Sequence, residues 1–195
     1  MSTTPTAGYY DTFYAEGGWR YSLVREWWWH RRHFVRRFKL RRGMRMLEVA
    51  CGMGMHTDLF CRMGFDCSGI DLCPTGISAA QQRYPRRDFH VADAKAALPW
   101  EPGSFDVIVT RGCSLYHYDL AAPGPRAATQ NLWQYLKPNG LFVLIIVSDL
   151  SGSRDPVKIW QNRLEDYRMH FEPFDSACTV DWHRGLVICG ARRRA

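Results

Sequence analysis

Residues 44–71, MRMLEVACGMGMHTDLFCRMGFDCSGID, constrain this chain more than any other stretch. Met46, Leu47, Val49 and Ala50 form an apolar run of strand length, and Cys51-Gly52-Met53-Gly54 follows as a turn. Glycines there let the backbone bend tightly and approach a ligand. Residues 56–63 read as a helix closed by Gly64, and residues 65–70 as a second strand ending at Asp71. An acid about 20 residues beyond a glycine turn can accept hydrogen bonds from both hydroxyls of a ribose. Short glycine turns also join strands to helices in α/β domains that bind nothing. The whole succession, with Asp93 and a further strand to follow, favours a nucleotide pocket.

The remaining pattern alternates helix and strand. Pro74 opens a helix that reaches about residue 84, with Pro85 as a stop, and residues 88–92 form a short strand before Asp93. Residues 105–110 read as a fourth strand, 126–136 as a helix, and 137–140 as a turn. Residues 141–147 are apolar without alternation, as in a fully buried parallel strand. A last helix is expected over 157–170, then a closing hairpin built from CTVDW, HRG and LVICGARR.

The segment LEVACGMG, residues 47–54, resembles motif I of class I S-adenosylmethionine-dependent methyltransferases, with Ala50 in place of the first glycine. Asp71 falls on that family's ribose-binding acid, Asp93 in HVADA falls where the family contacts adenine, and the turn Lys137-Pro138-Asn139-Gly140 is similar to its LKPGG turn. The resemblance covers residues 44–148. It implies an α/β fold: a Rossmann-like, doubly wound, seven-stranded, mostly parallel sheet with an antiparallel C-terminal hairpin. It also implies S-adenosyl-L-methionine as cofactor, S-adenosyl-L-homocysteine as product, and cofactor contacts from Glu48, Ala50, Gly52, Gly54, Asp71, Leu72, Asp93, Ala94 and Arg111.

The acceptor side centres on RGCSLYHY, residues 111–118, delivered by the fourth strand to the edge where open α/β sheets bind ligands. Gly112-Cys113-Ser114 is similar to the GNS signature of glycine N-methyltransferase-like enzymes, with Cys113 in place of asparagine. His117 is the candidate general base, its ordinary pKa near 6.5 suiting the task. A lone histidine among aromatics can equally be structural. Tyr116 is its candidate catalytic companion, and Cys113, Tyr118, Asp149, Tyr9, Tyr14 and Trp19 are candidate substrate contacts. Asp149 reads either as a base or cation holder, or as a loop cap. No (D/N)PP(Y/F) follows the fourth strand and no acid stands at residues 110–111, which disfavours nucleobase-amine methylases and Mg²⁺-dependent catechol-type enzymes.

The chain has 195 residues and 46% hydrophobic content, enough for a core without disulfides. Seven scattered cysteines with no CxxC pair point to a reduced, cytoplasmic setting and to no metal. No secretory leader is seen, and no apolar run reaches the roughly 18 residues that span a bilayer; no membrane partner is expected. The net charge of +7 is concentrated in residues 20–42, where nine Arg and Lys face one Glu.

We divide the chain into an aromatic and basic helical cap, residues 1–42, and a methyltransferase domain, residues 43–195, within one compact unit. The aromatic residues of 1–19 either cover a sheet edge or close over the pocket. Residues 21–40 place Leu23, Trp27, Phe34 and Phe38 on one helical stripe, with the arginines largely off it. Such a charged face is usually only solvated; the sharper reading is a nucleic-acid or acidic-partner site. The leading function is in-line transfer of a methyl group to a nitrogen or oxygen of a small molecule. The alternatives are an RNA, DNA or protein methyltransferase acting through residues 20–42, and a non-catalytic subunit that keeps the fold.

Overall fold

The computed structural model describes residues 7–19, 21–155 and 158–194. Residues 1–6 of the expected cap, Arg20 of the basic run and Val157 of the expected last helix lie outside the described residues. Seven strands form one sheet in the order β3-β2-β1-β4-β5-β7-β6. The strands β1 (Arg45–Val49), β2 (Asp66–Asp71), β3 (Asp88–Val91), β4 (Phe105–Arg111) and β5 (Leu136–Val147) run parallel. β6 (Thr179–His183) and β7 (Leu186–Arg192) close it as an antiparallel hairpin, with β7 lying against β5. The seven-stranded, doubly wound sheet expected from the sequence is therefore present. Its order reverses between β1 and β4, and ligands bind at the carboxyl ends of strands beside such a switch point.

The sheet is buried on both faces. Successive residues of the central strands alternate between two cores: Met46, Val107, Val109 and Val143 go to one, Leu47, Ile108, Phe142 and Leu144 to the other. Phe60 of α3 (Met55–Arg62) and Phe34 fill the first core. Ala128 and Leu132 of α5 (Pro123–Gln134), with Tyr167 and Phe171 of α6 (Leu164–Phe171), fill the second. The helix α4 (Pro74–Arg83) packs Ile77 and Ala80 with Phe89 of β3.

Three local features differ from the sequence expectation. The helix over 21–40 is α2 (Leu23–His30) followed by a π turn at Arg31–Val35, in which the Arg36 N–H reaches the Arg31 carbonyl at 3.1 Å and the Leu40 N–H the Val35 carbonyl at 2.9 Å. The widened turn breaks the regular stripe: Phe34 is fully buried, whereas Leu23 is 49% exposed. The inward positions of α2 are taken by Glu26 and His30, which have polar partners inside. The turn at 137–140 is absorbed into β5, with Asn139 in the left-handed region at φ 63° and its N–H on the Arg193 carbonyl. The last helix begins only at Leu164. Upstream, Gln161 exchanges main-chain bonds with Gly152 and Ser153, and Asn162 donates to the Tyr118 carbonyl, which holds that backbone extended.

Candidate functional site

The carboxyl ends of β1, β2 and β4 open into a cavity of about 620 Å³. Its floor is the turn after β1, where Ala50, Gly52 and Gly54 all take positive φ, at 60°, 52° and 76°. Gly54, expected as a cofactor contact, does not itself line the cavity: the space a side chain would fill there is taken by the Phe89 ring, and Gly54 shapes the turn. An added Cβ at Gly52 would sit 2.7 Å from the Tyr14 hydroxyl. Asp71 is buried beside this turn, and each of its carboxylate oxygens accepts a main-chain N–H: Oδ2 from Gly52 at 2.8 Å and Oδ1 from Cys73 at 2.9 Å. Burial pushes its pKa up, and the N–H groups of Cys73, Gly52 and Leu72 oppose that shift. Ala50, Leu72, Asp93 and Ala94 also line the cavity. Asp93 accepts the Lys95 N–H as well, so it caps a turn and faces the cavity at once.

The roof is α1 (Ala7–Ala15), which crosses the cavity from α4 to the segment after β4. Asp11 accepts hydrogen bonds from Thr75 Oγ1 at 2.6 Å and Cys73 Sγ at 3.0 Å, and the Tyr10 hydroxyl lies near the Ser114 side chain. Tyr9, Tyr14 and Trp19, expected as substrate contacts, all line the cavity; Tyr10, Phe13 and Tyr21 join them. Burial and the nearby Asp71 carboxylate push the Tyr14 hydroxyl well above its ordinary pKa, so it stays protonated and able to donate.

The remaining wall is a buried polar cluster. Arg111 ends β4 with its guanidinium over the rings of Tyr21 at 6.0 Å and Trp29 at 5.9 Å, and its Nη2 lies 3.8 Å from Glu26. Glu26 also accepts from His56 Nε2 at 3.1 Å. Burial raises the Glu26 pKa, but the His56 bond and the neighbouring His30, His56 and Arg111 side chains outweigh it and hold the carboxyl below the ordinary glutamate range. Beneath, Glu48 is fully buried with Thr57 Oγ1 donating to it, and burial pushes its pKa up to about 8. Glu48 therefore supports the turn from below and does not line the cavity.

Sequence reasoning passed over Glu26. Its one signal was its isolation, a single acid among nine basic residues. His56, at the start of α3, lines the cavity. The side chains of Glu26, His30 and His56 meet within 4.8 Å, a spacing suited to a cation. However, His30 Nδ1 sits on the Glu26 carbonyl at 2.9 Å, and the Arg111 cation already neutralises the carboxylate. The arrangement is better described as an ion-pair network.

The segment after β4 divides. Cys113, Tyr118 and His117 line the cavity. His117 Nε2 is buried without a hydrogen-bond partner, and burial lowers the ring's pKa to about 4. The Cys113 thiol is pushed up to about 11 by burial. Tyr116, expected as a catalytic companion, is fully buried outside the cavity, its hydroxyl 3.0 Å from Thr129, which in turn meets His170 at 2.8 Å. The 3₁₀ turn at Ser114–Tyr116 brings about this split by sending residue 116 inward and residue 117 to the cavity. Asp149 is exposed and away from the cavity, where it caps a turn by accepting the Ser151 N–H at 2.8 Å.

These residues suit a group with a carboxylate, a ribose and a flat base. Asp71 has carboxylate lone pairs beyond those given to the backbone, Gly52 lines the cavity beside it, and Arg111 Nε is a buried donor with no partner. A family model described as a methyltransferase domain matches residues 47–144, half of the chain. The chain belongs to this methyltransferase family. Across residues outside that match the methyltransferase fold continues: the structure of the [4+2]-cyclase SpnF aligns with a TM-score of 0.72 and 18% identity over 98% of both chains. Among curated relatives, the ubiquinone biosynthesis O-methyltransferase of Albidiferax ferrireducens is 29% identical over 103 residues, 50% of this chain and 39% of that one. The dTDP-4-amino-2,3,4,6-tetradeoxy-D-glucose N,N-dimethyltransferase of Saccharopolyspora spinosa is 31% identical over 108 residues, 55% of this chain and 42% of that one. The chain thus spans about two fifths of the length of these relatives. One of the similar folds is named a cyclase, so the fold alone does not carry the activity.

Proposed function

We propose that the chain transfers a methyl group from S-adenosyl-L-methionine to a nitrogen or oxygen of a small molecule with an apolar or aromatic body. The observation that carries this reading is one shared cavity, in which the glycine turn and Asp71 share space with Tyr9, Tyr10, Trp19 and His117. Its volume is in the range of small-molecule sites, roughly 300–1,000 Å³. Asp71 would hold the ribose, Asp93 and Ala94 the adenine, and Arg111 the carboxylate. When bound, the cofactor supplies a methyl group on a positively charged sulfur.

The protein's part is alignment, exclusion of water and, for a hydroxyl acceptor, removal of a proton. Roofing by α1 and the aromatic wall serve the first two. His117 is neutral at neutral pH with Nε2 unpartnered, so it can accept a proton there. A neutral amine acceptor requires no base at the moment of transfer. The two curated relatives act, by their names, on an oxygen and on an amino sugar, which supports a small acceptor in either class.

The test is calorimetric titration with S-adenosylmethionine and S-adenosylhomocysteine on wild type, Asp71→Asn and Asp93→Ala. Both ligands should bind wild type, and each variant should bind at least about tenfold more weakly, equivalent to 1.4 kcal/mol. Folded wild type that binds neither ligand would favour a non-catalytic subunit. Binding should be followed by screening phenols, amines and nucleic acids with labelled methyl donor.

A further inference from the structure

The outer face of α2 and its π turn lies outside the cavity. Val24, Trp28 and Arg31 fall at i, i+4 and i+7, one line along the helix. Val24 is 68% exposed and Trp28 63%, and the Arg31 guanidinium lies 5.8 Å over the Trp28 ring. Arg25, Arg32 and Arg36 are exposed around that line, and Leu23 is exposed beside it. The ion pairs of this segment run elsewhere, from Glu26 to His30, His56 and Arg111 and from Arg37 to Asp181. They leave the four outer arginines with no carboxylate partner among the described residues. The positive surface continues onto the β6–β7 turn, where His183 stacks on His33 at 4.0 Å. Burial, then His183, Arg32, Arg184 and Arg37, disfavour a proton on His33, so like charges crowd there.

Two observations select the partner. Uncompensated arginines call for an anionic surface. Exposed aliphatic side chains gain nothing from phosphates or base edges, whereas aliphatic and tryptophan side chains settle at the boundary between headgroups and acyl chains. Trp19 and Tyr21, just ahead of α2 in the chain, line the cavity and are themselves exposed. We propose that the outer face of α2 docks on an anionic lipid bilayer surface: Val24 and Trp28 enter the headgroup boundary, Arg25, Arg31, Arg32 and Arg36 meet lipid phosphates, and the cavity mouth is held beside the membrane. Among the described residues no helix is long and apolar enough to cross a membrane. Surface docking requires none, and it does not depend on the methyl-transfer reading.

The experiment is flotation of the full chain with vesicles of phosphatidylcholine alone or mixed with phosphatidylglycerol, at low and physiological salt. Wild type should float with the anionic vesicles and not with the neutral ones. Each basic residue near such a surface strengthens binding by about fivefold, so R25E/R31E/R32E should lower it by more than about a hundredfold. The charge-neutral pair Val24→Ser and Trp28→Ala should lower it by about tenfold. Melting temperature and S-adenosylmethionine titration should be unchanged in both variants, which separates docking from folding and from the cofactor site. No flotation with anionic vesicles at low salt overturns the proposal. So does wild-type flotation by the V24S/W28A variant, or tighter binding to a single-stranded oligonucleotide than to vesicles in direct competition.

Discussion

The turn after β1 holds three left-handed residues, and only one of them lacks the freedom for it. Ala50, at φ 60°, carries a Cβ that the left-handed region penalises by roughly 1–2 kcal/mol. Ala50→Gly removes that strain but adds freedom to the unfolded chain, which offsets about 0.4–1 kcal/mol. The net expectation is a gain of about 0–1.6 kcal/mol in chemical denaturation. Gly52→Ala two residues on has the opposite sign, because its Cβ would meet the Tyr14 hydroxyl at 2.7 Å in a left-handed backbone. It should be destabilised by at least about 1 kcal/mol and lose cofactor binding. A gain of stability in Gly52→Ala would show that Tyr14 yields easily. At His117, burial lowers the pKa to about 4, so a proton-accepting role survives well below the ordinary histidine range. With a hydroxyl acceptor, the acid limb of kcat/KM, which follows the ligand-free enzyme, should fall near pH 4, and His117→Gln should remove that limb together with most of the rate. A wild-type limb near pH 6.5 would rule out the buried His117 ring as that base.

At the scale of elements, α1 owes its position to a few polar contacts and to aromatic packing. Asp11 joins it to Thr75 and Cys73 at the N-terminal end of α4. Asp11→Ala removes both hydrogen bonds while leaving the sheet untouched. Amide exchange in α1 should accelerate about tenfold or more, with global stability reduced by about 1 kcal/mol or less. Cofactor affinity should fall too, since Tyr10 and Tyr14 travel with the helix. Unchanged exchange would show that the aromatic contacts alone hold the roof. The π turn does similar work for α2, turning Glu26 and His30 inward while Phe34 remains in the core, and π turns recur at functional sites.

For the whole molecule, buried ionisable groups set the pH range of stability. Burial lowers the pKa of His30 to about 3 and of His117 to about 4, both below the unfolded value near 6.5. Their neutral burial is therefore compatible with full stability above about pH 6.5, and stability falls as pH drops from there through the folded pKa values. Glu48 has the reverse sign. Its pKa is raised to about 8 by burial, with Thr57 and Arg111 opposing and Asp71 adding to the shift. Its contribution is fully present below the unfolded value near 4.5 and is lost as pH rises through 8. The ligand-free protein should melt at progressively lower temperature on both sides of a maximum near pH 5–7. Glu48→Gln, which can still accept from Thr57, should flatten the alkaline side. An unchanged alkaline slope would place that titration elsewhere.

The sequence by itself determined the sheet and the glycine turn with Asp71 beside it. Strand periodicity, positive-φ glycines and the spacing from Gly52 to Asp71 are local, and local sterics allow few other outcomes. It also supplied the placing of Cys113, His117 and Tyr118 in the cavity, and left open whether the aromatic residues of 1–19 cover a sheet edge or the pocket. Tertiary structure decided the rest. Whether Tyr116 or His117 reaches the cavity depended on one 3₁₀ turn, and the inward rotation of Glu26 on a π turn that no helical period contains. Asp149 caps a turn through the Ser151 N–H, while its own N–H is held by the distant Gln161 side chain, which keeps it away from the cavity. Partners in these cases come from residues far apart in the chain. A pattern read within one segment records the period of an element but not the partner that turns it.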